Sequence, residues 1–141
     1  MNFLLDTCVL SELRRPNADR GLVLWATEAN EHRLHLSVVA LAEIQKGIAK
    51  LAPGRRKNEL QTWLDQDLPA RFSGRILPVG PETALTWGRY LGAGEQVGSP
   101  LPVIDALVAA TAATHNLQVV TRNERDFARF PVRVLNPWTS P

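Results

Sequence analysis

Short apolar runs recur along this chain, each separated from the next by one or two stretches of helical periodicity. Phe3-Leu4-Leu5, Leu34 to Ser37, "RILPV" from Arg75, "LQVVTRN" from Leu117 and "VRVLNP" from Val132 read as short strands bounded by polar turns. Strands alternating with helices imply crossover connections, hence an α/β fold with a mainly parallel sheet.

The helical stretches have legible limits. Val9, Leu10 and Leu13 share one face before Arg15-Pro16-Asn17 interrupts it, and a second stretch spans Gly21 to Glu31. Ser37 fits an N-cap for a helix carrying Leu41, Ile44, Ile48 and Leu51 at spacings of three and four, halted by Pro53-Gly54. Arg55 to Leu68 forms the next, with Leu60, Trp63 and Leu64 inward and Pro69 as its stop. Glu82 to Gly92 is helical, and Gly92-Ala93-Gly94 with Gly98-Ser99-Pro100 reads as a flexible loop. Pro102 to His115 is apolar nearly all round, which predicts a central, buried helix. A short helical turn at Glu124 to Ala128 precedes the last strand.

With 141 residues, one domain over 1–141 is expected, large enough for a core of its own. The apolar runs fall short of the roughly 20 residues of a membrane span, and Asp6 interrupts the N-terminus too early for a secretory signal, so no membrane association and a cytoplasmic location are expected. Cys8 is the only cysteine, which excludes an internal disulfide and any multi-cysteine zinc site. A net charge of +2 does not announce a nucleic-acid binder, but Arg14-Arg15, Arg55-Arg56-Lys57 and Arg122, Arg125, Arg129, Arg133 are local basic clusters.

Four acids occupy suggestive positions. Asp6 ends the first strand, Glu43 lies on the helix after the second, Asp105 is in the apolar helix before the fourth, and Asp126 follows that strand. Each has a purely structural account. Asp6 suits a helix N-cap, Glu43 a pairing with Lys46 or Lys50, and Asp126 a surface position beside Arg122 and Arg129. Asp105 is harder to explain, since Val108 and Ala109 at i+3 and i+4 cannot pair with it. Were a parallel sheet to gather these acids at its carboxyl edge, their repulsion would raise pKa values or require a cation. A hard divalent ion, Mg²⁺ or Mn²⁺, suits carboxylate oxygens, and His32, His35 and His115 are too scattered to offer a zinc site.

Lined up in order, "LLDTCVLSEL", "LSVVALAEIQKGIAKL", "LPVIDALVAATAATHNLQVVTRNERDF" and "VLNPW" resemble the PIN-domain ribonucleases, and among them the VapC and FitB-like toxins of type II toxin-antitoxin pairs. The resemblance spans nearly the whole chain. It implies a three-layer α/β/α sandwich and metal-dependent endoribonuclease activity at an acidic Mg²⁺ or Mn²⁺ site. Asp6, Glu43 and Asp105 fall on the family's acids, and either Asp126 or Asn123 on a more variable fourth position. Thr121 matches a hydroxyl residue that lines the pocket, and Thr7, Asn123 and Arg122 would support the ligands or position substrate. Cys8 stands where similar sequences often show Asn.

In the mechanism this implies, metal at Asp6 and Asp105 polarises the scissile phosphate while Glu43 orients or deprotonates the attacking water, leaving a 5′-phosphate and a 3′-hydroxyl. Arg14-Arg15 and Arg122-Arg125 would contact flanking phosphates. The implied partners are RNA as substrate, a VapB-like antitoxin through which alone DNA is contacted, and a second copy of the chain, giving a homodimer and a heterotetramer or larger assembly with antitoxin. The principal rival is a catalytically silent PIN scaffold serving as an antitoxin-binding or DNA-regulatory component. A haloacid-dehalogenase-like phosphatase would need an acid at position 8, and a receiver domain a lysine late in the chain, where Thr121-Arg122 stands.

Overall fold

The computed structural model describes residues 1–138. Five strands, β1 (Asn2–Leu5), β2 (Leu34–Ser37), β3 (Ile76–Leu77), β4 (Leu117–Val120) and β5 (Val134–Leu135), form one sheet in the order β3-β2-β1-β4-β5. Every pairing is parallel. Helices α1 (Thr7–Leu13), α2 (Arg20–Glu28), α3 (Val38–Ala49), α4 (Arg55–Thr62) and α5 (Leu68–Arg71) lie between β1 and β3 in the chain, and α6 (Pro81–Gln96), α7 (Val103–Thr114) and α8 (Glu124–Phe127) between β3 and β5.

The strand alternation divides the core in two. Leu5 of β1, Leu34 and Leu36 of β2 and Val120 of β4 pack with Val9, Leu22, Ile44, Leu68 and Phe72 on one face. Leu4, Leu117 and Val119 face the other way, against Ala106, Ala109, Phe127 and Phe130. Successive side chains of a strand point to opposite faces, so a sheet covered on both sides must be apolar at nearly every position. This gives the α/β/α layering.

The strand order reverses direction between β1 and β4. From β1 the chain moves outward through β2 to β3, then returns to the other side of β1. Such a reversal opens a crevice beyond the carboxyl ends of the two strands that flank it. Leu5 lies in register with Val120, and Asp6 N–H donates to the Val120 carbonyl at 3.0 Å. Asp6 and Thr121 therefore emerge side by side at the crevice.

Three expectations are corrected. Pro69 does not end its helix. The backbone widens into a π-helical segment, Trp63–Asp67, where Leu68 N–H donates to the Trp63 carbonyl, and α5 continues to Arg71. The wider turn accommodates the proline ring and its missing donor. Gly92-Ala93-Gly94 is likewise no loop, since α6 runs to Gln96. Gly94 is buried, and a Cβ there would lie 3.0 Å from both Leu101 Cγ and the Ser99 carbonyl, so glycine lets the following loop close onto the helix. Finally, α7 is buried from Ala106 to Ala112 but not at its start: Val103 and Ile104 are exposed and Asp105 is half-buried.

Candidate active site

Asp6 begins the site as the N-cap of α1, its Oδ1 accepting from Thr7 N–H at 2.9 Å. The capping role and the site role coexist. Its other oxygen, Oδ2, accepts from the Thr121 hydroxyl at 2.8 Å, and Thr121 Oγ1 in turn accepts from Asn123 N–H at 3.0 Å. Thr121 is fully buried, so this hydroxyl spends both its donor and an acceptor site on fixing the turn after β4 to the end of β1. Cys8 Sγ lies 3.6 Å from Asp6 Oδ2 and 3.5 Å from Thr121 Oγ1. Burial, then the Asp6 charge, push the Cys8 thiol above its ordinary range, so it stays a neutral thiol beside the carboxylate.

Ser37 caps α3 by accepting from Val39 N–H at 3.0 Å, which sets the helix rising from the end of β2. Glu43 lies on its exposed flank and pairs with neither Lys46 nor Lys50. Instead Glu43 Oε1 accepts from the Thr7 hydroxyl at 2.7 Å. Thr7 thus joins two of the acids, its backbone donating to Asp6 and its hydroxyl to Glu43.

Asp105 occupies the first turn of α7, where exposed helix N–H groups favour a negative charge. Trp87 anchors that turn by donating from Nε1 to the Val103 carbonyl at 2.9 Å. Despite the helix terminus, Asp105 is raised from 3.8 to about 6 by burial first, then by the charges of Asp126, Asp6 and Glu43. The charges of the other three predicted acids therefore reach Asp105 at the crevice. None of the four forms an ion pair among the described residues, where the acids so engaged are Glu12, Glu31 and Glu59. Asp126 is exposed on α8, and Arg129, expected beside it, turns its guanidinium to the Ser99 and Pro100 carbonyls. Arg122 and Asn123 are exposed in the turn between β4 and α8.

The donor set matches a hard divalent cation in chemistry: oxygen ligands, an excess of negative charge and no basic side chain to answer it. Its spacing is looser than a closed cage. Among the described residues, no group of three or more His, Cys, Asp or Glu side chains is gathered tightly enough to hold an ion as it stands.

Sequence reasoning missed the neighbouring space. A cleft of about 780 Å³ opens between α1, α3 and α4, beginning at Thr7 and Glu43 and running over Ile48 and Leu60 to Trp63. Only the spatial approach of three helices creates it, and no local motif signals that approach.

A parallel α/β unit with clustered acids at the strand-order reversal defines a class of proteins that act at the carboxyl edge of the sheet. The family model described as PIN domain matches residues 3–132, and the chain belongs to the PIN-domain family, in its VapC/FitB-like group. It is 36% identical over 135 residues to Toxin FitB of Neisseria gonorrhoeae, covering 96% of this chain and 97% of that one. It is 29% identical to VapC ribonuclease Y4jK of Sinorhizobium fredii, covering 96% of each. Among solved structures, FitAB bound to an IR36 DNA fragment superposes with a TM-score of 0.87 at 34% identity, over 96% of this chain and 95% of that one.

Proposed function

We propose that this chain, acting as one PIN domain, is the endoribonuclease toxin of a toxin–antitoxin pair, with Mg²⁺ or Mn²⁺ held by Asp6, Glu43, Asp105 and Asp126. The observation that carries this reading is that Thr7 joins Asp6 and Glu43 at the carboxyl edge of the sheet, with Asp105 close enough to feel their charges and that of Asp126, and none of the four in an ion pair among the described residues. Relatives named as a ribonuclease and as a toxin support the reaction class and the biological role.

A bound divalent ion would supply charge neutralisation at the phosphate and acidify the attacking water. The protein's own contribution is placement. Thr121 and the Thr7 backbone fix both oxygens of Asp6. Thr7 holds Glu43 through Oε1, leaving Oε2 to orient the water and take its proton. Asp105 and Asp126 complete the negative charge that draws in the cation, with Asn123 as the alternative to Asp126. Arg14, Arg15, Arg122 and Arg125 are exposed and contact phosphates on either side of the cut. The products are a 5′-phosphate and a 3′-hydroxyl.

The partner is an antitoxin of the VapB or FitA kind, in keeping with the FitAB complex, and DNA is reached through that partner. A homodimer of this chain is the unit that the antitoxin engages. No helix among the described residues is long and apolar enough to cross a membrane, consistent with action in the cytoplasm. Incubating the purified chain with total RNA in Mn²⁺ and in EDTA tests the proposal: discrete fragments only with the metal support it, and intact RNA in both returns the chain to the silent-scaffold alternative.

A further inference from the structure

We infer that Arg129 and Trp87 are positioning residues for the acidic site, tethering the segment 99–103 so that Asp105 is held near Asp126. This rests on the metal-dependent reading and adds to it the residues that set the spacing of two of its acids. Burial does not fix the first turn of α7, because Val103 and Ile104 are exposed. The turn takes its position from the segment that precedes it. Pro102 caps α7, its carbonyl accepting from Ala106 N–H at 3.0 Å. Pro100 and Pro102 each lock one backbone dihedral, so a shift at Ser99 is passed on to α7 rather than absorbed on the way.

The segment is held at both ends. Ser99 N–H donates to the Gly94 carbonyl of α6 at 2.9 Å, and the Ser99 carbonyl accepts from Arg129 Nη2. Arg129 Nη1 reaches the Pro100 carbonyl at 3.5 Å, so one planar fork spans two successive carbonyls. At the far end Trp87 donates from Nε1 to the Val103 carbonyl at 2.9 Å, while its ring packs, like Leu101, against a buried cluster. Phe127 and Phe130, both buried, anchor the chain on either side of Arg129, which gives its tether a fixed base. Arg129 stands three residues after Asp126 yet forms no ion pair with it. Its guanidinium is directed to the carbonyls instead, which leaves the charge of Asp126 unanswered, and that charge leads the three that act on Asp105. Two like charges so placed repel, and the tethers oppose their separation. The same bonds set Arg129 apart from Arg122 and Arg125, which are exposed and turned to no carbonyl by any comparable contact, as a cation for RNA phosphate.

The test is calorimetric titration of Mn²⁺ alone into the full-length chain, with wild type beside Arg129→Met, Arg129→Lys and Trp87→Phe, each matched by circular dichroism. In parallel, the anisotropy of a fluorescein-labelled single-stranded oligoribonucleotide in metal-free buffer gives the slope of log affinity against log salt. Arg129→Met keeps an apolar stem and removes both donors. It should weaken Mn²⁺ binding by about tenfold or more and leave the salt slope unchanged. Arg129→Lys can still donate to Ser99 and should bind Mn²⁺ more nearly as wild type does. Trp87→Phe removes the N–H and keeps a ring, so it should weaken Mn²⁺ binding in the same direction, and it decides the question should Arg129→Met fold poorly. Folded variants with wild-type Mn²⁺ affinity overturn the positioning role alone, and a salt slope lowered by about 0.7 then assigns Arg129 to the RNA backbone. Wild type that binds no Mn²⁺ overturns the metal-site reading with it.

Discussion

The Thr121 hydroxyl donates to Asp6 Oδ2 at 2.8 Å, joining two residues 115 positions apart at the ends of adjacent parallel strands. Parallel register places their backbones together, and the bond, with the Thr7 N–H on Oδ1, then fixes the orientation of the Asp6 carboxylate at the crevice. Thr121→Val keeps the shape and removes the donor, leaving Asp6 Oδ2 and Asn123 N–H without this partner. We expect a loss of about 1–2 kcal/mol in urea unfolding and a fall of about 10- to 100-fold in metal-dependent cleavage. Thr121→Ser, which retains the hydroxyl, should recover most of both.

Asp105 gives stability a defined pH dependence. Its folded-state pKa of about 6 lies above the ordinary 3.8, so the ionised form opposes folding. This cost is fully present above about pH 6, shrinks as pH falls and vanishes below about pH 4, where both states are protonated. Asp105→Asn should therefore melt higher than the metal-free wild type near neutral pH, with the difference closing towards pH 4. Thermal denaturation followed by circular dichroism across this window checks the sign. Adding Mn²⁺ near neutral pH should raise the wild-type midpoint more than that of the variant.

Glu43 separates chemistry from folding. It is exposed, and Gln would still accept the Thr7 hydrogen bond through its amide oxygen. Glu43→Gln is expected to leave the unfolding free energy within about 0.5 kcal/mol of wild type while reducing single-turnover cleavage by about 10²- to 10⁴-fold.

Two glycines of α6 should respond in opposite directions to the same change. At Gly94 a new Cβ meets Leu101 and the Ser99 carbonyl at 3.0 Å, whereas at Gly92 it meets nothing within 4 Å. Gly94→Ala should cost about 1–3 kcal/mol, and Gly92→Ala should gain up to about 1 kcal/mol through helix propensity. Denaturant titration of the two variants distinguishes them.

Much of this architecture was legible in the residues because the strands are short and their helices well punctuated. Leu34 to Ser37 and the Ser37 cap were read correctly, since a capping hydroxyl ahead of an amphipathic stripe is a local signal. Pro69 and Gly94 misled for a shared reason: each looks like a breaker alone, and only a widened turn or a closely packed loop makes it compatible with helix. The start of α7 was misjudged as buried because the residues around Asp105 are apolar in sequence, whereas Val103 and Ile104 are exposed; the pKa rise expected from converging acids does appear at Asp105. The Thr7–Glu43 bond and the cleft beside it depend on how α1 and α3 approach each other, which periodicity does not report.

The central claim is that Asp6 holds a divalent cation at the scissile phosphate. Its most direct test is the rate at which purified Asp6→Asn cleaves RNA in Mn²⁺, beside wild type and with matched circular dichroism spectra. Asn can still cap α1 through its amide oxygen, so the fold should persist. The account predicts a rate at least about 10³-fold below wild type. A folded Asp6→Asn protein that cuts RNA as fast as wild type would contradict it.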